Sequence, residues 1–205
     1  MKLYIRTIED YDDADVSLLE EARRTRLARL RNPKVRAECI AAGMLLREAL
    51  ADYGYPVGEE PLQLVYDENG KPGLCDGTGN CNDGGEILKP YFSLSHSGGV
   101  VICAVDDEPI GADIQVVKKL PERLPKRVLT ESELAGYRQV AEEKTEVEAQ
   151  RYFTVRWTEK ESIAKLIGKG IGMDFRTIEA GEYRLHTILR EFDGTEYVIT
   201  TAQYR

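Results

Sequence analysis

Long apolar runs are missing from this 205-residue chain. The longest, Val100 to Val105, is far short of the roughly 18 residues a helix needs to span a bilayer. The opening MKLYIRTIEDYDDAD has no apolar stretch of the secretory kind, so a cytoplasmic protein is expected. Histidine is scarce: the two residues, His96 and His186, argue against a Cys/His zinc site. The four cysteines, at 39, 75, 81 and 103, are few as well. Cys39 and Cys103 lie in apolar contexts and read as small buried hydrophobes. Cys75 and Cys81 flank the loop CDGTGNC, where a reducing compartment favours free thiols over a disulfide. An excess of basic charge is also lacking. With 28 Lys and Arg against 36 Asp and Glu, the net charge is −8, which argues against a partner such as duplex nucleic acid. What is present is 42% apolar and 31% charged residues. That is the composition of a globular protein with a real core, and it excludes collagen-like, low-complexity and largely disordered chains.

The pattern along the chain predicts an α+β protein. KLYIRTI at 2–8 alternates as a strand. Asp15 is placed to cap a helix over 16–31, which Asn32-Pro33 ends. A second helix is predicted over 34–53, with Ile40, Met44, Leu45 and Ala49 as its apolar stripe and Gly54 and Pro56 beyond it. QLVY at 63–66 reads as a strand, followed by the turn Glu68 to Pro72. Residues 73–86, rich in Gly, Asn and Asp, read as an exposed loop. Its acids and amides do not have the spacing of a calcium loop. Strands follow at 91–96, 100–107 and 110–117. A short helix is expected at 122–128, and a helix over 131–142 capped by Thr130 with Glu133 in a capping box. A long helix at 146–168 is stopped by Gly168, Gly170 and Gly172. A hairpin with strands 183–192 and 196–204 turns at Asp193-Gly194. The length suits one domain or two small halves sharing a core. Each half shows helices followed by short antiparallel strands.

Four segments carry chemistry-bearing residues. In Gly111-Ala112-Asp113-Ile114-Gln115, strand periodicity sends Asp113 and Gln115 to one face and Ile114 to the core. A carboxylate and an amide oxygen together suit a hard cation such as Mg²⁺. In the helix carrying Trp157 to Lys165, Glu161 and Lys165 share a face at i, i+4, offering a carboxylate for metal and an ammonium for phosphate. Gly168-Lys169-Gly170 follows. Ser93-Leu94-Ser95-His96-Ser97-Gly98-Gly99 places hydroxyls, an imidazole and glycines at a strand end, which suits a phosphate. Adjacent strand residues point to opposite faces, so Ser95 and His96 do not form a triad without a bend. From Arg23 to Ala37, seven basic residues (23, 24, 26, 29, 31, 34 and 36) occur with no acid. Such a local excess inside an acidic chain points to an anionic target.

Gly70-Lys71-Pro72, Ser93 to Ser97, Gly111 to Gln115, and Trp157 to Lys165 with Gly168-Lys169-Gly170 occur in this order. Together they resemble the 4′-phosphopantetheinyl transferase superfamily, in its Sfp-like branch. The resemblance spans about 70–172, and the first 60 residues match only in being basic, helical and ending in the LLR segment at 45–47. It implies the fold of that family: two pseudo-symmetric halves, each with helices packed on a small antiparallel sheet. Residues 1–107 would form the N-terminal half with coenzyme A adenine and phosphate contacts. Residues 108–205 would form the C-terminal half with the metal and catalytic residues. The implied reaction is Mg²⁺-dependent transfer of the 4′-phosphopantetheine arm of coenzyme A to a serine of an acyl or peptidyl carrier protein, by a monomer.

By this match Asp113, Gln115 and Glu161 are metal ligands. Gln115 stands where the family usually has Glu, which leaves two carboxylates in place of three. Lys165 is placed on the pyrophosphate, where it would steady charge as the linkage breaks. Glu161 or Glu133 would act as base. Ser95 and His96 would touch coenzyme A phosphates, and Lys71 and Pro72 would lie beside the adenine. Arg31 and Arg36 are the favoured ligands of the 3′-phosphate, while one position expected to be basic holds Glu38. The basic stretch would also meet an acidic carrier protein. Two other readings stay open: a catalytically silent relative that binds coenzyme A or a carrier, kept alive by Gln115, and a metal-dependent hydrolase of the pyrophosphate.

Overall fold

Strand alternation, helix caps and two glycine turns build most of the observed architecture. The computed structural model describes residues 1–11, 14–75, 88–121, 123–169 and 172–205. Cys81, Gly170 and most of the loop expected at 73–86 lie outside them. The chain divides into two compact units, Met1–Ile110 and Gly111–Arg205.

In the first unit, β1 (Lys2–Thr7), β4 (Tyr91–Ser97) and β5 (Val100–Asp106) form an antiparallel sheet in the order β1-β5-β4. Ser97 pairs with Val100 across Gly98 and Gly99, whose φ values are 63° and 97°. A two-residue hairpin loop of the type I′ kind has positive φ at both positions, which glycine supplies without steric cost. The helix α2 (Pro33–Tyr53) covers this sheet, burying Leu45, Leu46 and Leu50 against Phe92, Val101, Cys103 and Val105. Asn32 is the N-cap of α2: its side chain accepts from the amides of Lys34 and Val35, with Pro33 at the first helical position. The pair read from the sequence as a breaker is therefore also the start signal. At the other end Gly54 takes the left-handed C-cap conformation.

Two expectations are corrected here. Asp15 caps only a single 3₁₀ turn, Val16–Leu18, and not a helix running to 31. The helix α1 (Glu21–Arg29) starts afresh after Leu19, which is extended and fully buried. Leu19 joins Leu27 and Cys39 in a small core, and that burial outweighs continuity of the helix. The start of the presumed exposed loop is also structured. β2 (Leu64–Tyr66) pairs with β3 (Pro72–Leu74), and Leu74 is fully buried.

In the second unit, β6 (Gly111–Val116), β7 (Tyr183–Phe192) and β8 (Thr195–Tyr204) form an antiparallel sheet in the order β6-β8-β7. The β7–β8 turn is Asp193-Gly194, both at positive φ. Short α3 (Leu124–Val128) precedes α4 (Glu131–Glu143), whose N-terminus carries the expected Thr130/Glu133 capping box. The long helix α5 (Glu146–Ile167) has a second capping box, Thr145 with Glu148, and ends at Gly168 in the left-handed conformation. α5 lies on β6 so closely that a Cβ at Gly111 would come within 1.9 Å of the Ser162 carbonyl oxygen. Glycine at 111 is therefore a packing requirement. It lets the strand bearing Asp113 run directly against the helix bearing Glu161 and Lys165.

Candidate active site

Alternation along β6 turns Ile114 into the core, fully buried, while Asp113 and Gln115 share the opposite face. Asp113 is itself 2% exposed. A buried carboxylate needs partners, and two are in place. Lys165 Nζ lies 2.7 Å from Asp113 Oδ1, and Gln115 Nε2 donates to Asp113 Oδ2 at 3.3 Å. Glu161 stands one helical turn before Lys165. Burial pushes its carboxyl up to about 7, the negative charge of Asp113 adds to the rise, and Lys165 opposes it. β6 and α5 thus bring together Asp113, Gln115, Glu161 and Lys165: two carboxylates, an amide and an ammonium. The oxygen donors are hard, and the mutual repulsion of the two acids is the kind a divalent cation relieves, so the residues fit Mg²⁺. Among the described residues, no group of three or more His, Cys, Asp or Glu is clustered to hold a metal. At this site the third position is the neutral Gln115.

Glu133 is engaged elsewhere in the same unit. Its Oε2 accepts from the Thr130 amide at 2.8 Å and faces Lys160 Nζ at 3.0 Å. Lys160 is fully buried, and its ammonium also donates to the carbonyls of Phe175 and Ile178 at 2.9 and 3.1 Å. The pair ties α5 to the start of α4 and to the 175–178 turn. Trp157 belongs to an aromatic cluster, its ring centroid 5.9 Å from Phe153 and 5.7 Å from Phe175, and contributes packing.

The first unit holds the other expected residues. Ser95 is buried and His96 is exposed, as neighbours on opposite faces of β4. His96 Nδ1 lies 3.3 Å from Glu38 Oε2, and the other oxygen of Glu38 accepts from the Gly99 amide at 3.1 Å. Glu38 comes from α2 and is buried. Lys71 and Pro72 follow a turn in which Asp67 accepts from the amides of Asn69 and Lys71. They line a pocket with Gly73, Pro90, Tyr91, Phe92 and Pro109. Burial there holds the Lys71 ammonium below the usual lysine range, against the pull of Asp67.

The basic stretch divides by role. Arg23 pairs with Glu20 and donates to the Cys39 carbonyl. Arg47, which follows the stretch, is buried and donates to the carbonyls of Leu18, Gly58 and Glu60, so it is a structural clamp. Arg36 is exposed but donates to the Leu27 carbonyl at 2.7 Å. Arg24, Arg26, Arg29, Arg31 and Lys34 are exposed. Cys39, Cys75 and Cys103 are free and buried. Burial of Cys103 raises its thiol well above the ordinary range. Among the described residues, no helix is long and apolar enough to cross a membrane.

Residues 109–202 match the model of the 4′-phosphopantetheinyl transferase superfamily. The chain is similar to the 4′-phosphopantetheinyl transferase Sfp of Bacillus subtilis (strain 168), 26% identical over 178 residues, covering 87% of this chain and 71% of the relative. It is 36% identical over 126 residues to the 4′-phosphopantetheinyl transferase psf-1 of Bacillus pumilus, covering 62% of this chain and 48% of that one. It is 27% identical over 155 residues to the mouse L-aminoadipate-semialdehyde dehydrogenase-phosphopantetheinyl transferase, covering 70% of this chain and 46% of that one. The structure of Thermotoga maritima holo-[acyl-carrier-protein] synthase overlaps 47% of this chain and 64% of that chain, with a TM-score of 0.34 and 21% identity.

Proposed function

Because the chain belongs to the 4′-phosphopantetheinyl transferase superfamily, we propose that it moves the phosphopantetheine arm of coenzyme A onto a serine of an acyl or peptidyl carrier protein. In that step the seryl oxygen forms a bond to the phosphorus bearing the pantetheine arm. The bond from that phosphorus to the bridging oxygen breaks, and adenosine 3′,5′-bisphosphate leaves with the electron pair. The observation that carries this reading is the grouping of Asp113, Gln115, Glu161 and Lys165 on β6 and α5.

Asp113, Glu161 and the amide oxygen of Gln115 would hold Mg²⁺, which when bound neutralises charge on the pyrophosphate. Lys165 supplies a positive charge to the breaking linkage. Glu161 takes the seryl proton directly or through water. Glu133 is the weaker candidate for base, because one of its oxygens already serves the Thr130 amide and Lys160.

The N-terminal half, 1–107, would receive coenzyme A. Lys71 and Pro72 would lie beside the adenine, Ser95 and His96 at phosphates, and Arg31 and Arg36 at the 3′-phosphate. The exposed arginines of α1 suit the acidic surface of a carrier protein. The enzyme would act as a cytoplasmic monomer.

Incubation with coenzyme A, Mg²⁺ and an apo carrier, followed by intact-mass measurement, tests the proposal. The expected result is a carrier heavier by one phosphopantetheine on its serine. Binding of both partners with no mass gain would favour the silent relative, to which Gln115 points. Cleavage of coenzyme A without a carrier would indicate a hydrolase. Restoring the third acid with Gln115→Glu should lower the Mg²⁺ concentration needed for half-maximal transfer. An unchanged or higher requirement would contradict the role given to residue 115.

A further inference from the structure

The position expected to be basic holds an acid, and that acid is turned inward. Glu38 is buried on α2, with one carboxylate oxygen on the Gly99 amide at 3.1 Å and the other 3.3 Å from His96 Nδ1. A carboxylate only accepts hydrogen bonds, so it selects the His96 form with a proton on Nδ1. It also fixes the ring's rotation, because the same carboxylate is anchored to the β4–β5 turn that follows His96 by three residues. The stem of Lys34, from the first turn of α2, passes beside that turn. The His96 side chain is 37% exposed, so a ligand can reach the ring.

We propose that Glu38 is a positioning residue: it holds the His96 ring with Nδ1–H directed at itself and so presents Nε2 to a phosphate of coenzyme A. The proposal rests on the functional reading above for its ligand and on the Glu38–His96–Gly99 geometry for its mechanism. A phosphate, like a carboxylate, offers only acceptors. A ring lying between the two carries a proton on each nitrogen, and the Nε2 hydrogen bond is charge-assisted. Glu38 thereby makes up for the missing basic side chain at its own position, by way of the imidazole of a neighbouring strand. Glu38 and Lys34, both from α2, are charged groups beside this arrangement.

Glu38→Gln tests the assignment with little risk to the fold. Its amide oxygen can still accept from Gly99, while its NH₂ meets Nδ1 and inverts the preferred tautomer. With only two histidines in the chain, a His186→Gln background leaves His96 as the sole imidazole in ¹⁵N-correlated NMR spectra. The native residue should show a protonated Nδ1, and Glu38→Gln should move the proton to Nε2. Calorimetry should show coenzyme A binding weakened about three- to tenfold in Glu38→Gln, the difference between a charge-assisted and a neutral hydrogen bond. Identical imidazole spectra in the two proteins would overturn the proposal. So would an inverted tautomer with unchanged coenzyme A affinity, which would make Glu38 only a support for the turn. Loss of transfer activity in a wild-type protein that still binds coenzyme A through His96 would remove the transferase reading and leave the positioning role standing. A wild-type protein that does not bind coenzyme A would remove both.

Discussion

At the candidate site, burial changes the chemistry of Glu161. Its carboxyl rises from the usual 4.5 to about 7, first through burial and then through the charge of Asp113. The folded protein therefore holds this proton more tightly than the unfolded chain, where a glutamate titrates at about 4.3. The resulting stabilisation is full below about 4.3 and is lost as pH rises through about 7. In metal-free protein the urea midpoint should fall between pH 5 and pH 8, and Glu161→Gln should flatten that fall. Parallel pH profiles for the two proteins would contradict the assignment. At Arg31 and Arg36 the test is discrimination. Replacing both with alanine should raise the KM for coenzyme A much more than that for dephospho-coenzyme A. Equal effects on the two would remove these residues from the 3′-phosphate. At this scale the sequence is informative where the partners are close in the chain. Asp113 with Gln115 follows from strand period, and Glu161 with Lys165 from helix period. Glu38 with His96 follows from neither, because α2 and β4 are brought together only by the core beneath them.

Among the elements, those with local signals were legible in the sequence. The Thr130/Glu133 box, the Gly54 and Gly168 stops and the Asp193-Gly194 turn each sit where the sequence places them. α1 was not legible, because Asp15 is a sound cap for whatever follows it. The burial of Leu19, which ends the turn after one cycle, is a tertiary fact. β3 was hidden for a similar reason: a three-residue strand leaves almost no periodic trace. Two substitutions probe the packing that holds the site. Gly111→Ala places a methyl group against the α5 backbone. It should cost about 3 kcal/mol or more, since backbone on both sides has no room to yield. Chemical denaturation would read this, and a loss below about 1 kcal/mol would contradict the close approach. Lys160→Met leaves the Glu133 carboxylate and the carbonyls of Phe175 and Ile178 without their buried cation. A cost of about 3–5 kcal/mol is expected, and Glu133→Gln in the same chain should recover part of it. Additive effects of the two changes would show that the pair is not coupled.

For the molecule as a whole, net charge was a poor guide to the site. The −8 total combines +7 over Arg23 to Ala37 with −15 elsewhere. The structure divides even the basic stretch into residues that bind the protein's own backbone and residues that face solvent. Fold class was legible because helix and strand patterns alternate in blocks rather than one by one, giving a long helix on a three-stranded antiparallel sheet in each unit. The ordered motifs carried the family resemblance, and the model match over 109–202 and the similar relatives point the same way. Asp113 is the carboxylate on which Lys165 and Gln115 converge, and the proposed transfer depends on it. The most direct measurement is the rate of phosphopantetheine transfer to an apo carrier by the wild-type enzyme and by Asp113→Asn, with circular dichroism showing both folded. A fall of at least about 100-fold is predicted, the usual effect of removing a central electrostatic group. Transfer by Asp113→Asn within about threefold of wild type would rule out the role given to Asp113, since a loss below about 0.7 kcal/mol leaves that carboxylate no central part in the reaction.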